Sequence, residues 1–311
     1  MESSYPINTR SQRIIDSLKN CEVHICTWDR LGVKSSDSEN YSIYRSPNVG
    51  YGNKVLKLAY LLRFALFFRR VLHERKPDII IASHWDMLLI ASLFKGKEKL
   101  VYDNLDIPEF KIGFIEKIII FIEKLSLTRV DAILLASRFY APLYKNYNSI
   151  VFENLPVTNC MGVEERKAST SVIKVGFVGS VRHYELLKNL ILAVDNEMSI
   201  QLHIYGDGIA NDKLKSFCKK LEVENVFFHG RFNYNEIGNI YKCIDVLWAA
   251  YPYKSRNVKY AISNKFHESI YYTIPCIFSE KTMLGDYVKL NCIGVTVDPY
   301  CQNSIKSGID N

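Results

Sequence analysis

No apolar run in this chain approaches the ~18–20 residues that a membrane-spanning helix needs. The opening "MESSYPINTRSQ" has no basic segment followed by an apolar one, so it does not read as a secretory signal. The eight cysteines form no Cys-x-x-Cys pair and no Cys/His cluster at zinc spacing. Several fall in apolar strand-like runs, where a reduced cysteine behaves as a small hydrophobe. Short-period repeats and low-complexity tracts are missing. So are nucleic-acid-binding motifs and basic stripes interleaved with stacking aromatics. The expectation is a cytoplasmic protein without a metal and without a nucleic-acid partner.

What is present points to a folded, two-domain chain. Its 311 residues are enough for two domains of ordinary size, and 48% hydrophobic with 23% charged residues is a globular composition. The formal net charge of +7 suits an anionic partner, either a phosphorylated small molecule or an anionic membrane surface, ahead of nucleic acid.

From residue 172 onward the punctuation is regular. The runs "VIKVGFV" (172–178), "IQLHIY" (200–205), "NVFFHG" (225–230), "DVLWAA" (245–250), "PCIFS" (275–279) and "CIGVTV" (292–297) read as strands. Helix-like segments at 183–195, 210–221, 234–242, 264–272 and 282–289 separate them. Strands joined through single helices imply right-handed crossovers and a parallel, doubly wound α/β sheet. The first half follows the same logic, with strands at 21–28, 77–83, 99–103, 131–137 and 149–154. The aperiodic, polar stretch 155–171 is expected to link a domain over 1–154 to one over 172–311. Two Rossmann-like domains facing a cleft are therefore predicted, with ligands beyond the carboxyl ends of the strands. Residues 1–20 read as a loop and a helix (about 8–19), so the first strand of the N-terminal sheet is expected to be missing. After the last strand no further helix pair is expected.

Two stretches could carry chemistry. In "VGFVGSVRHYELLKNLILAV" (175–194) a strand turns through Gly179 into a helix, with Arg182 near its start and Lys188 on its second turn. Such a junction seats anions, because free N–H groups and the helix dipole point the same way, and arginine adds bidentate phosphate recognition. A plain turn with solvated charges explains it equally well. In "SNKFHESIYYTIPCIFS" (263–279), Lys265 stands at a helix start, where a cation is disfavoured by ~0.3–1 kcal/mol. Asn264 and Glu268 share a face there, while Phe266 and Ile270 form the apolar side. Glu268 could accept from the vicinal hydroxyls of a ribose, with Lys265 answering a phosphate. The bland reading is an exposed ion pair worth ~0.5 kcal/mol at most.

Taken together, "NKFHESIYYTIPCIFSEKTMLGDYV" and the segment 175–194 resemble the donor-binding stretches of GT-B-fold glycosyltransferases of family 4, the group 1 enzymes of bacterial surface polysaccharide synthesis. "LHIYGDG", "VFFHGRF" and "IGVTVDP" come in the same order. "NTRSQRIIDSLKNCEVHICTWDR", "KPDIIIASHWDMLLIASLFKGKEKLVYDNLDIPE" and "VFENLP" are similar to N-terminal segments of that family. The resemblance implies a GT-B fold and retaining transfer of a sugar from a nucleotide sugar to a saccharide or lipid-linked acceptor. It implies that Arg182 and Lys188 hold the diphosphate, that Glu268 takes the ribose, and that Lys265 and Asn264 line the same wall. Thr282, Met283 and Leu284 would offer backbone N–H groups to the phosphates, and Gly206 and Gly208 would admit the nucleotide. No essential metal is implied.

On the acceptor side, His84 and Asp86 follow the strand 77–83, and Asp103 ends the next one. The segment 51–76, with seven Lys/Arg against one acid, could lie on an anionic bilayer, giving a peripheral protein at the inner face of the cytoplasmic membrane. Helix 111–129 is expected to turn Glu116, Lys117, Glu123 and Lys124 to solvent. Tyr260 stands where the family often has a second glutamate. A non-catalytic nucleotide-sugar-binding or partner-binding protein therefore remains an alternative, as does a sugar-nucleotide epimerase.

Overall fold

The computed structural model of the chain describes residues 1–30, 32, 39–46, 54–109, 113–156 and 172–311, with the backbone alone at 54–58. The side chains of Lys54 and Lys57, and residues 157–171 of the expected linker, lie outside the described residues. Two compact units divide the chain, Met1–Glu153 and Asn154–Asn311.

In the first unit, the Asn8 side chain accepts from Ser11 N (2.8 Å) and so caps α1 (Thr9–Ser17). There follow β1 (Ile25–Asp29), β2 (Tyr41–Arg45), α2 (Lys54–Arg75), β3 (Ile79–Ser83), α3 (Trp85–Phe94), β4 (Lys99–Asn104), α4 (Gly113–Leu127), β5 (Ala132–Leu135) and β6 (Ser149–Val151). β1 and β2 pair in parallel, and β3-β4-β5-β6 form a parallel sheet. Met1–Glu2 joins the two. Glu2 bridges Thr27 in parallel and its N–H donates to Cys26 O (3.0 Å), the Met1 nitrogen donates to Ile81 O (2.7 Å), and Ser83 N donates to Met1 O (3.1 Å). The first strand expected to be missing is thus represented by two residues at the centre of the sheet. Two residues are too few to show alternation. β2 also escaped the sequence reading, because its residues are half-buried or exposed and its apolar signal is faint.

α4 departs from expectation as well. Glu123 is buried rather than solvated, and it accepts from the hydroxyls of Tyr102 on β4 (3.1 Å) and Tyr144 (3.0 Å).

The second unit runs β7 (Ile173–Val178), α5 (Tyr184–Val194), β8 (Ile200–Tyr205), α6 (Asn211–Lys220), β9 (Val226–Gly230), α7 (Ile237–Lys242), β10 (Val246–Ala249), α8 (Arg256–Tyr260), α9 (Asn264–Tyr271), β11 (Cys276–Ser279), α10 (Met283–Leu290), β12 (Val295–Val297) and α11 (Gln302–Asp310). Its parallel six-stranded sheet has the order β12-β11-β10-β7-β8-β9. The core gathers Val175, Leu190, Ile191, Leu202, Ile204 and Trp248. After β12 a single helix, α11, forms and packs on α5, burying Ile305 and Ile309. The winding direction reverses between β7 and β10, and on such a sheet the strands part there to leave a crevice at their carboxyl ends.

Candidate functional site

At that reversal the turn after β7 holds Gly179 (φ +146°) and the turn after β8 holds Gly206 (φ +133°). A Cβ on Gly206 would stand 1.8 Å from the Gly179 carbonyl oxygen, so glycine at 206 is required by the two turns lying on each other. Lys265 reaches the same place from α9, its Cε 3.9 Å from where a Cβ on Gly179 would be. The sheet therefore brings Gly179, Gly206 and Lys265 together from segments far apart in sequence.

Lys265 Nζ lies 2.6 Å from Glu268 Oε2, with the two side chains 11% and 3% exposed. The surface ion pair is thereby ruled out. At an effective dielectric of ~20, charges this close attract by roughly 4–6 kcal/mol before desolvation, which outweighs the ~0.3–1 kcal/mol penalty for a cation at a helix start. The Tyr241 hydroxyl also donates to Glu268 Oε2, Tyr234 Oη donates to Oε1 (3.4 Å), and Lys265 Nζ donates to Tyr241 Oη (3.2 Å). Burial, and then the Glu268 charge, push the Tyr241 hydroxyl far above the usual phenol range. Sequence reading missed both tyrosines, since nothing in α9 signals them. Phe266, His267, Glu268 and Ser269 are the buried residues of α9, while Ile270 is exposed, so the expected Phe266/Ile270 apolar side does not form.

A cavity of about 160 Å³ opens beyond β10 and β11, lined by Ala249, Tyr251, Ser263, Ser279, Thr282 and Leu284 among others. Ser263 and Thr282 are the N-caps of α9 and α10, and exposed Asn264 begins α9. Thr282 Oγ1 accepts from Gly285 N (2.9 Å) and donates to Ser279 O (3.0 Å). Met283 and Leu284 open α10, where first-turn N–H groups have no acceptor within the helix and favour an anion. Burial pushes the Tyr251 hydroxyl up to about 12, against the opposing effect of its hydrogen bond with Ser263. The His183 ring stands edge-on to Tyr251, its pKa lowered by burial and then by neighbouring Arg182.

Arg182 is exposed just past the β7 turn, its Nε donating to Ser180 Oγ (2.8 Å). Lys188 is placed differently: its ammonium lies over the Phe217 ring of α6, 5.5 Å from the centroid. Asp207, between Gly206 and Gly208, accepts from Gly208 N (2.8 Å) and from Arg231 Nε (3.0 Å), contacts that hold its carboxyl below the usual range.

In the first unit the carboxyl ends of the strands gather charge. His84 caps α3 with φ +70° and ψ 159°, a conformation that side chains other than glycine adopt at a cost of ~1–3 kcal/mol. Its Nε2 is 3.9 Å from Glu2 Oε1, and Glu2 Oε2 accepts from Asn8 Nδ2 (2.8 Å) and Ser11 Oγ (2.5 Å). Asp86, in the first turn of α3, faces Arg30 at 3.8 Å, and the Arg30 guanidinium stacks 4.4 Å from the Trp28 ring centroid. Asp103 is fully buried against Arg10, at 2.8 Å from Nε and 2.7 Å from Nη2. Among the described residues no group of three or more His, Cys, Asp or Glu side chains could hold a metal ion. No helix among them is long and apolar enough to cross a membrane.

Paired Rossmann-like units with parallel sheets define a GT-B fold. The chain superposes on sucrose-phosphate synthase from Thermosynechococcus elongatus with a TM-score of 0.72 at 13% identity, over 99% of this chain and 85% of that one. The lipopolysaccharide outer core galactosyltransferase WaaB gives 0.68 at 16%, covering 99% and 87%. Anabaena HepE in complex with UDP-glucose gives 0.68 at 14%, covering 100% and 87%. Residues 164–311 match the family model of glycosyl transferases group 1. The C-terminal part of the chain is thus similar to group 1 glycosyl transferases, and the solved structures share its GT-B fold. Among curated proteins no relative matches the sequence.

Proposed function

We propose that the protein moves a sugar, with retention of configuration, from a nucleotide-sugar donor held by the second unit to a saccharide or lipid-linked acceptor. The setting is surface polysaccharide synthesis at the inner face of the cytoplasmic membrane. The observation that carries this reading is that, where the sheet order reverses, Lys265 of the buried Lys265–Glu268 pair reaches the Gly179 turn, while a cavity lined by two helix N-caps opens beyond neighbouring β10 and β11. The bond from the anomeric carbon to the diphosphate breaks as the acceptor oxygen bonds to that carbon. Charge growing on the departing oxygen is met by Arg182, Lys265 and the N–H groups of Met283 and Leu284. Lys188 serves there once it leaves the Phe217 ring. Glu268 offers Oε1, its more weakly held oxygen, to the ribose hydroxyls. His84 and Asp86 act on the acceptor hydroxyl. Cationic side chains and backbone N–H groups supply the charge, so no metal enters the scheme. The complex of HepE with UDP-glucose supports a donor of this class.

The test is a thermal-shift panel of UDP-, GDP- and dTDP-sugars, followed by calorimetry with the nucleotide that binds. Arg182→Ala and Glu268→Gln each weaken that affinity by about tenfold or more, about 1.4 kcal/mol. Unchanged affinity in both variants removes the site. Nucleoside diphosphate released only when acceptor is present separates transfer from epimerisation or simple binding.

A further inference from the structure

The outward side of α4 carries Phe114, Ile118, Phe121 and Leu125, which are 73%, 41%, 67% and 62% exposed. At 100° per residue these four fall within an arc of about 60°. Lys117 and Lys124 border the arc, both exposed, while Glu116 and Glu123 project from the opposite side. This outward half thus pairs an apolar stripe with two cations and holds no acid. The orientation is fixed from within. Glu123 accepts from Tyr102 and Tyr144, and Ile119, Ser126 and Leu127 are buried beside it. Rotating the helix to hide its phenylalanines would break both hydrogen bonds and expose that inner face.

We propose that this face of α4 seats the first unit on an anionic bilayer, with the two phenylalanines, Ile118 and Leu125 in the headgroup–acyl boundary and the two lysines on lipid phosphates. Charge complementarity selects this occupant. A second copy packed through the same face would oppose lysines to lysines with no acid to answer them. The β2–β3, β3–β4 and β4–β5 crossovers all run the same way along the sheet, so right-handed connections place α2, α3 and α4 on one side of it. On that side α2 adds exposed Arg63 and Arg69, while Arg70 pairs with Glu74 at 2.7 Å. The sequence points to a membrane contact over 51–76, where Leu62 and Leu66 are exposed, and the proposal adds the apolar stripe of α4 to it. The inference deepens the membrane setting proposed above and rests on that reading for its purpose alone.

Flotation of the whole chain on vesicles of phosphatidylglycerol and phosphatidylcholine, against phosphatidylcholine alone, tests it. The expected result is binding to the anionic vesicles that falls by about tenfold or more in Phe114→Ser/Phe121→Ser and weakens in Lys117→Gln/Lys124→Gln. Both variants should keep the thermal midpoint of the parent, since the replaced side chains face water. Wild-type protein that stays unbound overturns the inference, as does a serine variant that floats equally well. A wild-type dimer that the serine pair converts to monomer also overturns it, by assigning the face to a second copy. Nucleotide affinity, measured on the same samples, reports separately on the donor site.

Discussion

The two units share one winding and fill its reversal point differently. In the second, the order β12-β11-β10-β7-β8-β9 changes direction beside a glycine turn, with a lysine–glutamate pair that is slightly exposed, and a cavity opens beyond β10 and β11. In the first, Met1–Glu2 and β3 occupy the corresponding place, crowded by Glu2, His84 and, one strand on, the sealed Arg10–Asp103 pair. One reversal has a cavity near it, whereas the other is packed with charges that already answer one another. The difference lies in side chains rather than topology.

The largest effect should come from breaking the sealed pair. Asp103→Ala leaves the Arg10 guanidinium without its counter-charge, at a cost of about 3–5 kcal/mol. Glu268→Gln should cost only about 1–2 kcal/mol, because the Gln carbonyl still accepts from one of Tyr241 and Tyr234, its NH2 can donate to the other hydroxyl, and Lys265 can turn toward water. Urea unfolding of both variants reads the contrast. Equal losses would mean that the two pairs are equally sealed and that the second unit has no open site.

Backbone strain gives the next contrast. Gly206→Ala forces a Cβ against the Gly179 carbonyl at a φ that L-residues avoid, and should destabilise the second unit by about 3 kcal/mol. His84→Gly should do the opposite in the first unit, relieving about 1 kcal/mol of strain while removing the imidazole proposed to meet the acceptor. Thermal unfolding checks both signs. A His84→Gly variant that is more stable and inactive would mark the strain as held for function.

These contrasts were only partly legible in the sequence. The central strands β7, β10 and β11 of the second unit announced themselves because they are buried along most of their length and read as near-continuous apolar runs. Gly179 and the spacing of Lys265 and Glu268 were visible for the same local reason. Tyr241 and Tyr234 stand 27 and 34 residues from Glu268 and left no trace within α9, so the seal on that carboxylate could not be read. The orientation of α4 failed for a related cause. An apolar stripe faces the core by default, and here two tyrosines on other segments hold Glu123 and turn the stripe outward. Contacts made at short range in sequence were readable, and contacts decided by the sheet were not.

Acid should separate the units by the smallest margin. On the second unit His203 Nδ1 lies 3.0 Å from His229 Nε2, in a stack with Tyr205 and Phe227. Burial, then His229 and Lys174, pull His203 down to about 4, against the attraction of Asp245, and burial also lowers His229 and His183. A folded-state pKa below the unfolded value of 6.5 means that the unfolded chain takes up the proton first. The stabilising contribution is therefore whole above about pH 6.5 and drains away as pH falls toward about 4. In the first unit His24 is lowered, while burial raises Asp103 despite Arg10, and a raised carboxyl pKa works in the opposite sense. Melting curves at about pH 7 and about pH 5 should show the second unit losing more. His203→Gln should remove part of that loss; a variant with an unchanged acid response would mean that the stacked histidines do not set it.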